Sequence, residues 1–178
     1  APAGLDDIAG ALVWIDSRTA IAPGLSIQDA GRVDVMRGEE IHFFGAAALV
    51  GVAPGDVLCQ PGTHNKWARV ADGRIVDFAT VMTGEIFELL RAHSILSYDL
   101  GGEVHAGEAF LEGVREGARH DIMASLFSVR ARSVLGLAQP GAAANFASGL
   151  LIGADVAKRI GRGKKVHVIA SPMVGGLY

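Results

Sequence analysis

Residues 66–79 constrain the fold more than any other stretch. Residues 66–70 lead into Ala71–Asp72–Gly73, and residues 74–79 lead out again. An Asp-Gly pair between two such runs supplies the turn chemistry of a tight antiparallel hairpin. A lone hairpin is not stable in water, so further strands or a helix must cover one of its faces. The material for that is present. Half of the 178 residues are apolar and one-fifth are charged, and mean hydropathy is +0.34, which excludes a disordered chain. The 24 glycines follow no three-residue period. They mark turns and close backbone approaches rather than a collagen-like repeat.

Around the hairpin the pattern alternates between short strands and helices. Leu5, Ile8 and Leu12 have helical spacing, with Asp6 and Asp7 at the helix start. Residues 12–15 and 20–21 read as short strands around a polar turn at Asp16–Ser17–Arg18, and residues 29–32 as a polar loop. Glu39 and Glu40 open a helix over 39–50, where carboxylates complement the helix dipole. Residues 57–60 read as a strand. Thr83–Gly84–Glu85 predicts a capped helix of about 12 residues. Three further helices are expected over 107–118, 121–135 and 142–160, then a buried strand over 166–170, with Ser171–Pro172 opening another helix. This order is α/β or α+β, and excludes a helical bundle or a β-sandwich.

Several function classes drop out early. The longest apolar run, residues 43–54, has about 12 residues, short of the roughly 18–20 that a membrane span needs. A net charge of −3 leaves no electrostatic footprint for nucleic acid. The single cysteine, Cys59, fits a reducing compartment. The six histidines, His120 among them, have neither paired spacing nor accompanying cysteines, so no zinc motif exists. Lys158, Arg159, Arg162, Lys164 and Lys165 read as a solvated helix C-terminus. The chain opens on Ala1 without a methionine and stops at Tyr178. A processed chain or a piece of a longer one is expected, with exposed apolar surface or an open sheet edge over residues 1–21.

Three segments are able to carry chemistry. Pro61–Gly62–Thr63–His64–Asn65–Lys66–Trp67 sits at a strand end. Its turn N–H groups, hydroxyl, amide and lysine suit an anion nest, and equally an ordinary strand connection. Asp34–Val35–Met36–Arg37–Gly38–Glu39–Glu40 places two carboxylates behind an arginine and a glycine. A carboxylate held on rigid backbone suits a general base, and equally a helix N-terminus. Ser148–Gly149–Leu150–Leu151–Ile152–Gly153 places two glycines inside an apolar helix, at about 1 kcal/mol each relative to alanine. Close helix packing or a flat ligand would offset that cost.

Seven stretches together resemble the 2-dehydro-3-deoxygalactonate kinases: PGL (23–25), VDVMRGEE (33–40), FFGA (43–46), PGTHNKW (61–67), DGRI (72–75), MTGEIFELLRAHSIL (82–96) and SGLLIGAD (148–155). They occur in that family's order. The resemblance implies an actin-like, ribonuclease H-like sugar kinase fold, of which this chain holds mainly the second domain. Residues 1–56 would end the first domain and residues 57–178 would form the second, incomplete at its C-terminal end. The implied reaction moves the γ-phosphate of ATP, with Mg2+, to the 6-hydroxyl of 2-dehydro-3-deoxy-D-galactonate in cytoplasmic galactonate breakdown. The implied partners are the sugar acid and ATP. A non-catalytic sugar-acid-binding remnant is the alternative. The family's Asp-x-Gly-Thr-Thr-Asn type loop, which holds phosphates and magnesium, has no counterpart here. Asn65 stands where serine is usual, and Ile41–His42 stand in place of Thr-Gln.

The resemblance also implies roles. Gly62, Thr63, His64, Asn65 and Lys66 would meet the ATP phosphates, and Ser148, Gly149 and Gly153 the adenosine side. Glu39 would be the catalytic base, with Glu40 and Asp34 in reserve. Arg37 would neutralise the substrate carboxylate or the moving phosphoryl group, and Glu40 would contact the sugar.

Overall fold

Asp72 and Gly73 both take positive φ, 51° and 70°, and the hairpin they close lies at the centre of the first of two units. The computed structural model describes residues 2–29, 31–119, 121–161 and 163–178. The first unit holds the chain up to Pro61, Asn65–Val81 and Gly161–Ala170. Its elements are β1 (Ala3–Gly4), α1 (Leu5–Gly10), the pair β2 (Val13–Trp14) and β3 (Ala20–Ile21), the pair β4 (Leu25–Asp29) and β5 (Arg32–Met36), α2 (Glu39–Val50), β6 (Val57–Gln60), β7 (Asn65–Ala71), β8 (Arg74–Val81) and β9 (Val166–Val168). The main sheet runs β1-β8-β7-β6-β9. Strands β6, β7 and β8 form an antiparallel meander, and β9 joins β6 in parallel. The protein is therefore mixed α/β.

Apolar faces explain how this unit holds together. Phe43 and Phe44 of α2 pack with Leu58, Ala68, Val70, Ile75 and Phe78 of the sheet, and Ile27 and Met36 of the β4–β5 pair close the same core. Polar side chains tie β5 to the sheet. Arg32 and Arg69 both pair with Asp77. Lys66 Nζ donates to the Val35 carbonyl at 2.8 Å, and Asp34 Oδ2 accepts the Thr80 N–H at 2.7 Å.

The second unit holds Gly62–His64, Met82–Ile160 and Ser171–Tyr178. Its helices are α3 (Thr83–His93), α4 (Glu108–Gly117), α5 (Ile122–Val134), α6 (Ala142–Arg159) and α7 (Pro172–Gly175). Its core joins Leu96, Leu100, Leu126, Val129, Phe146, Ala147 and Leu150. The Asp121 carboxylate caps α5 by accepting the Met123 N–H. Helices α4 and α6 touch backbone to backbone. A Cβ added at Gly149 would stand 2.1 Å from the Phe110 oxygen, and one at Gly153 would stand 2.2 Å from that of Val114. In return, one at Gly113 would stand 2.2 Å from the Phe146 oxygen, and one at Gly117 would stand 2.0 Å from that of Leu150.

Most expected elements appear within one or two residues, and three expectations need correction. Asp29 and Arg32, the ends of the expected loop at 29–32, pair with each other as the last and first residues of strands β4 and β5, which the sequence reading did not contain, and Ala30 between them lies outside the described residues. Their outward valines, Val33 and Val35, lie exposed, so the run does not read as a strand with one buried face. The strand expected to be buried over 166–170 is β9, and it is half-exposed, since among the described residues it lies at the sheet edge and pairs with β6 alone. Helix α3 has no side-chain cap. Thr83 lies inside its first turn, and its hydroxyl donates to Asp155 Oδ2 at 3.0 Å instead. Apolar surface is exposed over the opening residues as expected, at Leu5, Val13, Trp14, Ile15 and Ile21. Of the cation run, Arg159 pairs with Asp155 at 3.2 Å. Arg162 lies outside the described residues, as do Ala1 and His120.

Two outcomes follow from this packing. Alanine adds about 1 kcal/mol of helix propensity over glycine, yet Gly149→Ala must push a carbonyl aside. The expected result is a net loss of about 1–3 kcal/mol, read as a lower urea midpoint. Gly45→Ala in α2, where an added Cβ meets nothing within 4 Å, is expected to raise it.

The second outcome concerns acid. Burial alone would raise the Asp77 carboxyl, but hydrogen bonds and charge from Arg32 and Arg69 outweigh it and hold the group below the usual carboxylate range. Its stabilisation is therefore complete above the unfolded value of about 3.9 and is lost as pH falls toward the lowered folded value. Urea midpoints at pH 5 and pH 3 are expected to differ less in Asp77→Asn than in the parent.

Candidate functional site

Strand β5 delivers Asp34, Val35 and Met36 in alternation, and the two ends of that alternation do different work. Met36 is buried in the core. The Asp34 carboxylate accepts the Thr80 N–H on one oxygen and the Val35 N–H, at 2.8 Å, on the other. Beyond Met36 the chain must turn sharply into α2. Gly38 makes that turn with φ of 109°, a region closed to side-chain-bearing residues at low cost.

The first turn of α2 then folds its carboxylates back. Glu39 Oε2 accepts the Arg37 N–H at 3.1 Å, and Glu40 Oε2 accepts the Gly38 N–H at 2.6 Å. The two glutamates differ in what remains. Glu40 is fully buried, and its Oε1 accepts no hydrogen bond among the described residues. Glu39 is half-buried and faces a cleft of about 470 Å³. Residues 23–26, residues 35–37, Glu39 and Lys66 line that cleft. An acid, two cations and backbone groups around open space are suited to holding a small anionic, hydroxylated molecule.

Lys66 belongs with this cleft. It lies on β7 opposite Thr80, and its Nζ bonds Val35 O and Thr80 Oγ1. Asn65, one residue earlier, is buried at the start of β7. Thr80 played no part in the sequence reading. The hairpin register that sets it opposite Lys66 contains a bulge between Arg69 and Val70, and counting back from Asp72–Gly73 without the bulge places Ala79 there.

Gly62, Thr63 and His64 form the exposed turn before β7. An added Cβ at Gly62 would meet nothing within 4 Å, so its backbone is open to approach from outside. The turn is pinned from below. The Glu85 N–H donates to Thr63 O at 2.9 Å, and His64 Nε2 meets Glu85 Oε2 at 2.5 Å. Gly84 permits this, since a Cβ there would stand 2.3 Å from Gly62 O. The first turn of α3 thus seats the loop. Ser148, Gly149 and Gly153 are buried in α6. Helix packing accounts for both glycines, because the open sides that a Cβ would fill face the backbone of α4.

No group of three His, Cys, Asp or Glu side chains able to hold a metal ion occurs among the described residues. No described helix is long and apolar enough to cross a membrane.

The chain resembles known proteins in structure and in sequence. The crystal structure of a Sinorhizobium meliloti protein, assigned as a 2-dehydro-3-deoxygalactonokinase, superposes with a TM-score of 0.90 at 38% identity, over 99% of this chain and 62% of that one. A Rhizobium meliloti (strain 1021) protein assigned as the 2-dehydro-3-deoxygalactonokinase DgoK1 is 40% identical over 99% of this chain. The 2-dehydro-3-deoxygalactonokinase of Escherichia coli (strain K12) is 39% identical over 98% of it. The chain spans 60% and 59% of the lengths of these two relatives. The family model for 2-keto-3-deoxy-galactonokinase matches residues 1–178, and the chain belongs to that family.

Proposed function

We propose that this chain serves a kinase that transfers the γ-phosphoryl group of ATP to the 6-hydroxyl of 2-dehydro-3-deoxy-D-galactonate in cytoplasmic galactonate breakdown. The observation that carries the reading is the family match along the whole chain, with relatives near 40% identity named for that activity. The actin-like, ribonuclease H-like fold is part of the proposal. It is supported by an antiparallel meander, β6-β7-β8, followed by helices and a strand that returns parallel to β6. In that frame residues 1–56 end a first domain and residues 57–178 belong to a second. Cys59, the single cysteine of the sequence, is buried, which is in keeping with a reducing compartment.

The proposed roles divide along the two sets of residues. Glu39 takes the proton from O6 as O6 bonds to the γ-phosphorus and the bond to the β–γ bridging oxygen breaks, leaving ADP. Its carboxylate is the one that faces the cleft, and Gly38 leaves the approach clear. Arg37 faces the same cleft and meets negative charge there. Asp34 and Glu40 act on position, the first by fixing β5 to Thr80 and the second by closing the turn at Gly38. The turn at Gly62, Thr63 and His64, continued by Asn65, receives phosphate oxygens on backbone and side-chain donors. Ser148, Gly149 and Gly153 support the adenosine side through the α4–α6 crossing rather than by touching it. Mg2+ would accompany ATP and neutralise charge on its phosphates. Phosphoryl transfer needs mainly positioning and charge stabilisation, which a small set of such groups supplies.

The test is ADP release by the intact gene product with the sugar acid as acceptor. Positioned general bases contribute about 100- to 10,000-fold. Glu39→Gln is expected to lower kcat by that order and to leave binding of the sugar acid largely intact. Glu40→Gln keeps an oxygen for the Gly38 N–H and is expected to cost less than tenfold, on the order of one neutral hydrogen bond. A large loss in Glu40→Gln alone moves the base to the buried carboxylate, and one in Asp34→Asn alone moves it to β5.

A further inference from the structure

Lys66 is a buried cation for which the described chain supplies no anion. The residue is 6% exposed. Its Nζ donates to the Val35 carbonyl and to Thr80 Oγ1, each at 2.8 Å, and both acceptors are neutral. No other interaction of this side chain exists among the described residues. Asp34 shares Thr80 as a partner, but its two oxygens take the N–H groups of Thr80 and Val35. An ammonium has three donors, so one N–H of Lys66 remains after these two bonds. Burying a cation without a counter-charge is costly. The side it leaves open is the cleft that it lines with Arg37 and Glu39. Two cations and one carboxylate give the lining a formal charge of +1, which a monoanion balances.

We propose that Lys66, with Arg37, binds the carboxylate of the sugar acid, and that this pair selects acids over neutral sugars. The inference rests on the kinase reading and assigns Lys66 to the acceptor side of the reaction rather than to the phosphates of ATP. Two features place the carboxylate at Lys66. Nζ is fixed by two bonds before any ligand arrives, so little side-chain freedom is lost on binding. The Glu39 carboxylate, on the same wall, repels a second carboxylate and leaves its own neighbourhood to the hydroxyl end.

The experiment titrates the intact gene product with 2-dehydro-3-deoxygalactonate and with its C1 amide, which keeps the skeleton and removes the charge. Hydrogen bonds to charged groups carry about 10- to 100-fold in affinity. The parent is expected to bind the acid tighter than the amide by that factor. Lys66→Met is expected to bring the ratio of acid to amide affinity toward one, whatever the loss of its bonds to Val35 and Thr80 costs both ligands alike, and to leave the KM for ATP within a few-fold of the parent. Lys66→Arg is expected to recover part of the preference. A parent that binds and phosphorylates the amide as well as the acid overturns this inference alone, and that comparison needs no variant to fold. A Lys66→Met protein with normal acid affinity and a raised KM for ATP also overturns it, by returning Lys66 to the nucleotide. A parent that neither binds nor phosphorylates the acid overturns the kinase reading, and this inference with it.

Discussion

The placement of β5 against the sheet is the constraint on which the candidate site depends. Strand β5 has five residues and, among the described residues, one strand partner, β4, so backbone pairing alone would hold it weakly. Polar side chains supply the rest. Lys66 reaches the Val35 carbonyl, Asp34 takes the Thr80 N–H, and Asp77 gathers the guanidinium groups of Arg32 and Arg69. The contacts of Lys66, Asp34 and Arg32 join β5 to β7 or β8, Arg69 braces Asp77 from β7, and Met36 adds an apolar anchor in the core. The direction in which the chain leaves β5 is therefore settled before Gly38 turns it into α2. Glu39 and Glu40 inherit their different exposures from that direction.

The second unit solves a similar problem by another route. The exposed turn at 62–64 has no core of its own, and it is seated on the start of α3 through Thr63, His64 and Glu85. Thr83, in that same first turn, donates to Asp155, which also meets Arg159. A chain of polar contacts thus runs from the turn through α3 to the buried end of α6. Glycine enters at the one point where α3 must approach the turn backbone, Gly84.

Much of this was legible from local chemistry. The Asp72–Gly73 turn, helix α2 from Glu39 to Val50 and strand β6 from Val57 to Gln60 all occur where short-range signals place them, because each rests on residues within a few positions of one another. The segments of the candidate site were legible for the same reason: a glycine beside acids, and a polar turn at a strand end. What escaped depended on distant partners. Strands β4 and β5 carry exposed valines on one side and take their hold from Lys66, Thr80 and Asp77. The half-exposed state of β9 depends on which strands flank it. The bulge after Arg69 moves Lys66 from Ala79 to Thr80, and no residue nearby announces it. The split between Glu39 in the cleft and Glu40 in the core follows from the exit angle at Gly38, which periodicity does not encode.

The α4–α6 crossing has a mechanical consequence. Packed helices ordinarily shear past one another by small rotamer adjustments of the interdigitated side chains between them. Here four glycines put carbonyl against Cα on both sides of the contact, and a backbone has no rotamers to exchange. Sliding by a fraction of a turn would drive peptide groups into one another. The two helices therefore behave as a single stiff strut, and any motion that reaches one of them is passed undiminished to the other.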